Sequence, residues 1–269
     1  MRVSSARRWA SPSAPISPES PAEYQYTKED YVEYSKLGGS FGHNAAAFLH
    51  KSSEQDYRDT FLFSNICPQE IVFNTGLWLL FEHVSEEIIK RYHNAIIING
   101  SVQQGGSTVV LGNGTKMRVP RYMYKIILYQ KYGKNYYLCF VAENKPHYIA
   151  KEFGDAFRRR KAFDLTKWTR DLDLVQKKVG IQLASIPSLA GKNFLRDDRD
   201  AAIYTTKFRN DQMISSELYG KIIYSRSMDE LRKIVPDPAK LQGFLPIFYQ
   251  YAVENHMRKR TVPQKNGIL

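Results

Sequence analysis

Cysteine is scarce in this chain of 269 residues, and long apolar runs are missing. The two cysteines, Cys67 and Cys139, lie 72 positions apart, a spacing that suggests neither a disulfide-built scaffold nor a cysteine metal site. They fit a reducing compartment. The longest strongly apolar run, 77–81, is far shorter than the roughly 18 residues that a membrane-spanning helix needs, so no transmembrane segment is expected.

Acidic residues are also in deficit. There are 39 Lys plus Arg against 27 Asp plus Glu, which gives a net charge of +12. Such an excess of positive charge favours a polyanionic partner, either a nucleic acid or an anionic membrane surface.

The deficit is sharpest at the N-terminus, where no acidic residue precedes Glu19 and both arginine and serine recur. This composition is typical of a mitochondrial transit peptide. It is also typical of a disordered tail, and the four prolines between positions 12 and 21 would break a targeting helix. We therefore expect residues 1–25 to form either a targeting segment or a disordered tail.

The order of apolar segments predicts a mixed α+β fold. A helix is expected from 74 or 75 to about 92, because apolar residues recur there at spacings of three and four. A short strand or loop over 41–50 would carry His43, and 60–63 has the pattern of a buried strand. Further strands are expected at 95–98, ending in a turn at 99–100, at 108–111 and 116–119 as a hairpin, and at 122–129 and 136–142. Shorter helices are expected at 171–179, 228–234 and 244–257.

Four polar residues within the first third of the chain have a notable order and spacing. Asn65 follows His43 by 22 positions, Asn74 follows Asn65 by nine, and Glu82 follows Asn74 by eight. Hydrolysis of a phosphodiester needs a base for the water and positive charge for the phosphate. A neutral imidazole suits the first task. Gly42, without a side chain, would let a phosphate approach the backbone beside His43.

This pattern resembles the active site of the DNA/RNA non-specific endonucleases, and within them it is most similar to mitochondrial endonuclease G. The similarity covers about residues 26–190, and 191–269 would be a C-terminal helical extension. The resemblance implies a ββα-metal (His-Me finger) fold, with a central antiparallel sheet flanked by helices. It also implies DNA and RNA substrates without sequence preference, a homodimer, and a mitochondrial location with the nucleus as the alternative.

The resemblance also implies a role for each residue. His43 would be the general base, Asn65 an orienting amide, Asn74 the protein ligand of Mg²⁺ (or Mn²⁺), and Glu82 the holder of metal-bound waters. Eight residues advance an ideal helix by about 12 Å and about 80°, so Asn74 and Glu82 could not both touch one ion in a regular helix. Trp78, one turn after Asn74, is expected to be a core residue.

Three departures from the family pattern reduce its positive charge. Ser40 and Phe41 stand where the family has Asp and Arg before the Gly-His pair, and Glu86 stands where an Arg is common. Only 42 residues precede His43, so the family's N-terminal strands would be truncated here. The remaining candidates for phosphate contact are Lys36, Lys51 and Arg58. The basic runs at 158–161 and 258–260 could serve the same purpose or be solvated surface.

Two hypotheses therefore stay open. One is an Mg²⁺-dependent endonuclease that cuts DNA and RNA, and the other is a degenerate relative that acts as a nucleic-acid-binding or structural protein. A guanidinium forks onto phosphate oxygens, whereas a phenyl ring donates no hydrogen bond, so the replacement of Arg by Phe41 favours the second.

Overall fold

A computed structural model describes residues 25–158, 163–202 and 210–261, and every structural statement below refers to these residues. The expected N-terminal tail lies almost entirely outside them, as do 159–161 of the first basic run. The structure does not test the expectations for those segments.

The catalytic candidates lie on a strand pair followed by a helix. Helix α1 (Lys28–Ser35) begins at a capping box formed by Thr27 and Asp30. Strand β1 (Gly39–His43) pairs antiparallel with β2 (Ile66–Glu70), and a loop containing α2 (Glu54–Asp59) connects them. The chain then enters α3 (Ile71–Phe73), a π-helical turn (Asn74–Trp78) and α4 (Leu79–Tyr92). This ββα arrangement confirms the expected fold and the helix near 74–92.

The strand expected at 60–63 is wrong. Thr60 ends α2, and its hydroxyl donates to the carbonyl of Tyr57. Turn-type backbone bonds then bind Phe61 to Arg58 and Asn65 to Leu62. The apolar side chains of this segment contribute to packing while its backbone turns, and the strand begins only at Ile66.

A four-stranded sheet forms the centre of the fold. Its strands are β3 (Ala95–Val102), β6 (Tyr122–Lys131), β7 (Lys134–Glu143) and the short β8 (Leu195–Arg196), in the order β3-β6-β7-β8. The first three pair antiparallel, and β8 is parallel to β7 at the edge. The predicted hairpin is present as β4 (Ser107–Val110) and β5 (Lys116–Val119).

The turn expected at 99–100 is absent, because β3 continues through both residues. Asn99 pairs with Lys125 and Gly100 with Tyr124. Gly100 leaves space for the Tyr124 side chain and does not form a turn. A Cβ at Gly100 would lie 2.5 Å from the Tyr124 hydroxyl oxygen.

The two faces of this sheet carry separate apolar clusters. One face packs against α4, where Phe81 stacks on Phe140 with ring centroids 4.4 Å apart. Trp78 lies in this cluster with no exposed surface, as expected for a core residue. The opposite face packs against the helix Leu172–Val179.

The remaining helices are α5 (Ile149–Arg158), α6 (Leu172–Val179), α7 (Asp198–Ala202), α8 (Asn210–Ile223), α9 (Met228–Ile234) and α10 (Leu245–Thr261). Helices α8, α9 and α10 share an apolar cluster with Ile71 and Val72 of α3. They therefore pack directly against the start of the helix that carries Asn74. The boundary predicted at 190/191 stays a prediction. None of the helices described is both long and apolar enough to cross a bilayer.

Candidate active site

One cavity of about 290 Å³ brings together three of the four predicted residues, His43, Asn74 and Glu82. Its other lining residues are Ala46, Ala47, Phe48, Lys51 and Tyr57. Asn65 is not among the lining residues. Strand β1 supplies His43, and the helix after β2 supplies Asn74 and Glu82, so the ββα unit builds the cavity by itself.

The π-helical turn explains how Asn74 and Glu82 meet on one cavity. A π-turn adds one residue to a helical turn, so positions i and i+8 take the angular relation of i and i+7. That relation differs from two full turns by about 20°, instead of the about 80° of a regular helix. The separation of about 80° expected from the sequence holds only for a regular helix, and the π-turn makes that expectation wrong. Both residues lie on one side of the helix.

The side-chain amide of Asn74 has a defined orientation. Its Nδ2 lies 3.1 Å from Ser40 Oγ and 3.3 Å from the carbonyl oxygen of Phe41. A carbonyl only accepts, so the nitrogen must face Phe41, and the two amide hydrogens have two acceptors. The Ser40 hydroxyl in turn donates to the carbonyl of Gln69. Asn74 Oδ1 is thereby directed away from these partners and available to a cation.

His43 is held as a neutral base. Its Nε2 is buried and has no hydrogen-bond partner. Burial lowers the pKa of His43 from 6.5 to about 4, because the charged imidazolium is poorly solvated there. The edge of the ring contacts Phe61, and the carbonyl of His43 accepts a hydrogen bond from Trp78 Nε1 at 3.3 Å. The imidazole is therefore unprotonated at neutral pH, and Nε2 has an unused lone pair or proton.

Asn65 uses its whole side chain to fix the loop after His43. Its Oδ1 accepts from the backbone N–H of Ala45 at 2.8 Å. Its Nδ2 donates to the carbonyls of Ala45 and Thr60 at 3.0 and 2.8 Å. These three bonds connect the end of β1 to the turn before β2, which is the contact pattern of a residue that positions His43 through the backbone.

Glu82 belongs to a buried charged network that the sequence reasoning missed. Lys125, at the centre of β6, is only 1% exposed, and Glu82 is 7% exposed. Burial raises the pKa of Glu82, opposed by the positive charge of Lys125 and by the Trp78 indole. Lys125 Nζ donates to Asn99 Oδ1 and lies 4.5 Å from the centre of the Trp78 ring. A lysine inside an otherwise apolar strand was the available sequence signal.

Unsatisfied polar atoms concentrate beside this cavity. In the described parts of the chain, the buried side-chain atoms without a partner belong to His43, Asn44 and Gln69. Buried polar groups are rarely left unpaired, so such a cluster indicates a place where water or a ligand binds. The space beside Gly42 is not free for a phosphate, however. A Cβ at Gly42 would lie 2.1 Å from Gln69 Cδ, so the glycine accommodates this side chain.

The three cations proposed for phosphate contact lie in different surroundings. Lys51 is exposed, lines the cavity, and has no ion pair within the described ranges. Lys36 pairs with Glu33 at 2.5 Å, and Arg58 pairs with Glu54 in the exposed helix α2. The structure brings only Lys51 to His43 and Asn74. Tyr57, which the sequence did not single out, adds a hydroxyl to the same wall.

The three residues expected to depart from the family pattern have defined partners in the structure. Ser40 holds the Asn74 amide, a positioning task that a small hydroxyl residue can perform. Phe41 stacks on Tyr31 with ring centroids 4.4 Å apart. Burial alone would raise the pKa of Glu86, but hydrogen bonds from Lys90 and His83 bring it below its ordinary value. Its charge is thus largely compensated by Lys90 at 2.7 Å.

The donor set fits a hydrated Mg²⁺ or Mn²⁺ ion. Within residues 25–158, 163–202 and 210–261, no group of three or more His, Cys, Asp or Glu is arranged to hold a metal. Mg²⁺ keeps several of its waters and needs few protein oxygens when a phosphate supplies charge. Asn74 Oδ1 would be the protein ligand, and Glu82 lines the same cavity as an acceptor for bound waters.

Comparisons with known proteins show the family to which the chain belongs. The family model for DNA/RNA non-specific endonuclease matches residues 16–187, more than half of the chain. Nuclease EXOG, mitochondrial, of Danio rerio is 33% identical over 141 residues, which cover 48% of this chain and 40% of that protein. Endonuclease G, mitochondrial, of Homo sapiens is 28% identical over 138 residues, covering 48% and 46%. The chain thus spans less than half the length of these two relatives. A chain in the crystal structure of the EndoG/EndoGI complex is 20% identical, with a TM-score of 0.44 over 59% of this chain and 63% of that one.

Proposed function

Because the chain belongs to the DNA/RNA non-specific endonuclease family, we propose that it is a divalent-cation-dependent endonuclease that hydrolyses phosphodiester bonds in DNA and RNA. The observation that carries the proposal is the shared cavity of His43, Asn74 and Glu82. It combines a neutral imidazole, an oriented amide and a carboxyl group.

His43 acts as the general base in the proposed reaction. Its imidazole accepts a proton from a water molecule while the water oxygen forms a bond to phosphorus. The bond between phosphorus and the leaving oxygen breaks, and solvent protonates that oxygen. His43 then returns its proton to solvent. The depressed pKa keeps the imidazole neutral at physiological pH, so it begins the cycle able to accept a proton.

The other residues hold the reacting groups in place. Asn65 fixes the loop after His43, and Ser40 fixes the Asn74 amide. A bound Mg²⁺ or Mn²⁺ would neutralise charge on the phosphate and on the leaving oxygen. Lys51 supplies a further positive charge at the cavity, where it offsets in part the absence of an arginine at position 41.

One observation favours the alternative, a degenerate protein that binds nucleic acid or has a structural role. Phe41 packs on Tyr31 and offers no hydrogen bond to a phosphate. The loss of one donor to a transition state typically lowers a rate about 10²- to 10³-fold. On the proposed function, the chain therefore cleaves more slowly than a relative that retains the arginine.

The test is cleavage of supercoiled plasmid and single-stranded RNA in Mg²⁺ and in Mn²⁺. We expect the wild type to cut both, and His43→Ala and Asn74→Ala each to abolish cutting. His50→Ala is the matched control, because His50 is exposed and does not line the cavity. A folded wild type that leaves both substrates intact would establish the degenerate alternative, and cleavage that survives His43→Ala would refute the assigned base.

We further propose a mitochondrial location, since the relatives quoted above are named as mitochondrial nucleases. Those names give no support to the nuclear alternative. The homodimer implied by the resemblance is also a proposal, and sedimentation equilibrium of the purified chain tests it. A tagged full-length chain that does not co-fractionate with mitochondria would refute the location.

A further inference from the structure

A second cavity, of about 220 Å³, adjoins the first and shares Asn74 with it. Its walls are mostly apolar and aromatic. Phe41 of β1 and Tyr219 of α8 each supply one ring. The other rings are those of Phe248 and Tyr251 in α10 and of Phe244 just before that helix. The C-terminal helices thus complete a cavity that begins at the catalytic candidates.

The dimensions and chemistry of this cavity fit one planar heterocycle. The volume of about 220 Å³ is far more than one water molecule needs, and it leaves room for a single ring system. Aromatic walls offer stacking surfaces. Polar groups lie at one side, where Ser40, Asn74 and Thr75 line the cavity, and exposed Lys28 adds a positive charge.

The position of Phe41 relates this cavity to the scissile phosphate. Phe41 and His43 are two positions apart in β1, and side chains at that spacing leave the same face of a strand. A phosphodiester placed beside His43 therefore has its neighbouring nucleotide beside Phe41. Bases inside a duplex are stacked and paired, so only an unpaired or extruded base can enter an aromatic cavity of this size.

We propose that this cavity binds an unpaired nucleobase of the nucleotide next to the scissile phosphate. The chain thereby acts on single-stranded DNA and RNA in preference to duplexes. This inference rests on the proposed function for the position of the phosphate. Phe41 exchanges the phosphate contact of an arginine for a base contact, so the substitution changes the substrate class rather than only removing a donor.

The experiment measures binding without cleavage. Fluorescence anisotropy in EDTA compares a short oligothymidylate with a strand of equal length in which every base is replaced by an abasic unit. Both strands carry the same phosphates, so their difference reports the bases alone. We expect the oligothymidylate to bind about 5- to 150-fold more tightly to the wild type, which is the range for stacking one base.

The variants locate the contact. Phe41→Leu and Tyr251→Leu keep apolar bulk on two separate walls, and each is expected to remove most of the difference between the two strands. Tyr132→Leu is the matched control, because Tyr132 is 89% exposed at the hairpin between β6 and β7 and is remote in the fold from the cavity. Thermal melting of each variant verifies that it folds, and two independent walls keep the test decisive if one variant unfolds.

Equal affinity of the wild type for the two strands would overturn the inference. So would a difference that both folded cavity variants retain. Because the binding assay excludes metal and catalysis, it succeeds or fails independently of the plasmid assay. A chain that cuts nucleic acid but does not distinguish the strands refutes only the base cavity, whereas one that distinguishes them without cutting refutes only the proposed hydrolysis.

Discussion

Removal of the buried cation Lys125 should destabilise the fold through Glu82. Lys125 is 1% exposed and Glu82 is 7% exposed, so Lys125→Met leaves a buried carboxylate without its compensating charge. No direct ion pair between Lys125 and Glu82 is present in the described residues, so we expect the loss typical of a buried polar group left without its partner, about 1–3 kcal/mol. A chain of this size loses about 2–4 °C of melting temperature per kcal/mol, so the expected decrease is about 2–12 °C at about pH 8.

The pH dependence of this loss identifies its cause. Burial raises the pKa of Glu82, so stability from this group is present at low pH and is lost as the pH rises through the folded-state pKa. Without Lys125 only the Trp78 indole opposes the effect of burial, and the folded-state pKa rises further. The penalty of Lys125→Met should therefore be largest at about pH 8 and shrink at about pH 5, where the carboxyl group is protonated.

Urea denaturation at both pH values measures these free energies of unfolding. The double variant Glu82→Gln/Lys125→Met should recover much of the loss, since it removes both charges together. Lys134→Met, at an exposed position of the β6–β7 hairpin, is the matched control and should change stability little. A loss below about 1 kcal/mol, or one that is the same at both pH values, would refute the reasoning that the two charges compensate each other.

Three further predictions concern the site itself. Ser40→Ala removes an acceptor of the Asn74 amide. It should raise the Mg²⁺ concentration for half-maximal cleavage about 10- to 100-fold, as is typical for partners that orient a metal ligand. An unchanged Mg²⁺ titration would contradict this role. Gly42→Ala places a Cβ 2.1 Å from Gln69 Cδ and should lower the free energy of unfolding by about 1–3 kcal/mol, whereas a wild-type urea midpoint would show that the space is not filled. Burial lowers the pKa of His43 to about 4, so kcat/KM for cleavage should decline on acidification only near that pH. A kcat/KM that falls to half near the ordinary pKa of 6.5 would show that the imidazole is solvated in the free enzyme.

The sequence predicted those parts of the fold in which one periodicity dominates. The helix near 74–92 and strands β6 and β7 have long, regular apolar patterns, and the structure contains them. The segment 60–63 misled because its aromatic side chains pack into the core although its backbone turns, and composition alone does not distinguish the two. Asn99 and Gly100 formed a turn signal, but the pairing of β3 with β6 outweighed it.

At the site, the grouping of three residues was predictable while their geometry was not. The spacing of His43, Asn74 and Glu82 indicated a common site, and the structure places them on one cavity. The π-turn between Asn74 and Trp78 left no clear sequence signal, because it depends on contacts with distant residues. Thr75 Oγ1 donates to the carbonyl of Ile71 at 2.7 Å and lies 3.0 Å from Ser216 Oγ of α8. Such tertiary contacts cannot be deduced from local periodicity.

The packing of the C-terminal helices on this turn has a consequence for the order in which the chain is synthesised. Ser216 contacts Thr75, and the Tyr224 hydroxyl donates at 2.9 Å to Glu70, whose carboxylate caps α3 through the N–H of Phe73. A ribosome delivers the N-terminal half first. His43, Asn74 and Glu82 are therefore all translated well before the residues that brace their helix. On the proposed function, the nascent chain therefore carries these residues before the contacts from α8 and from Tyr224 can form.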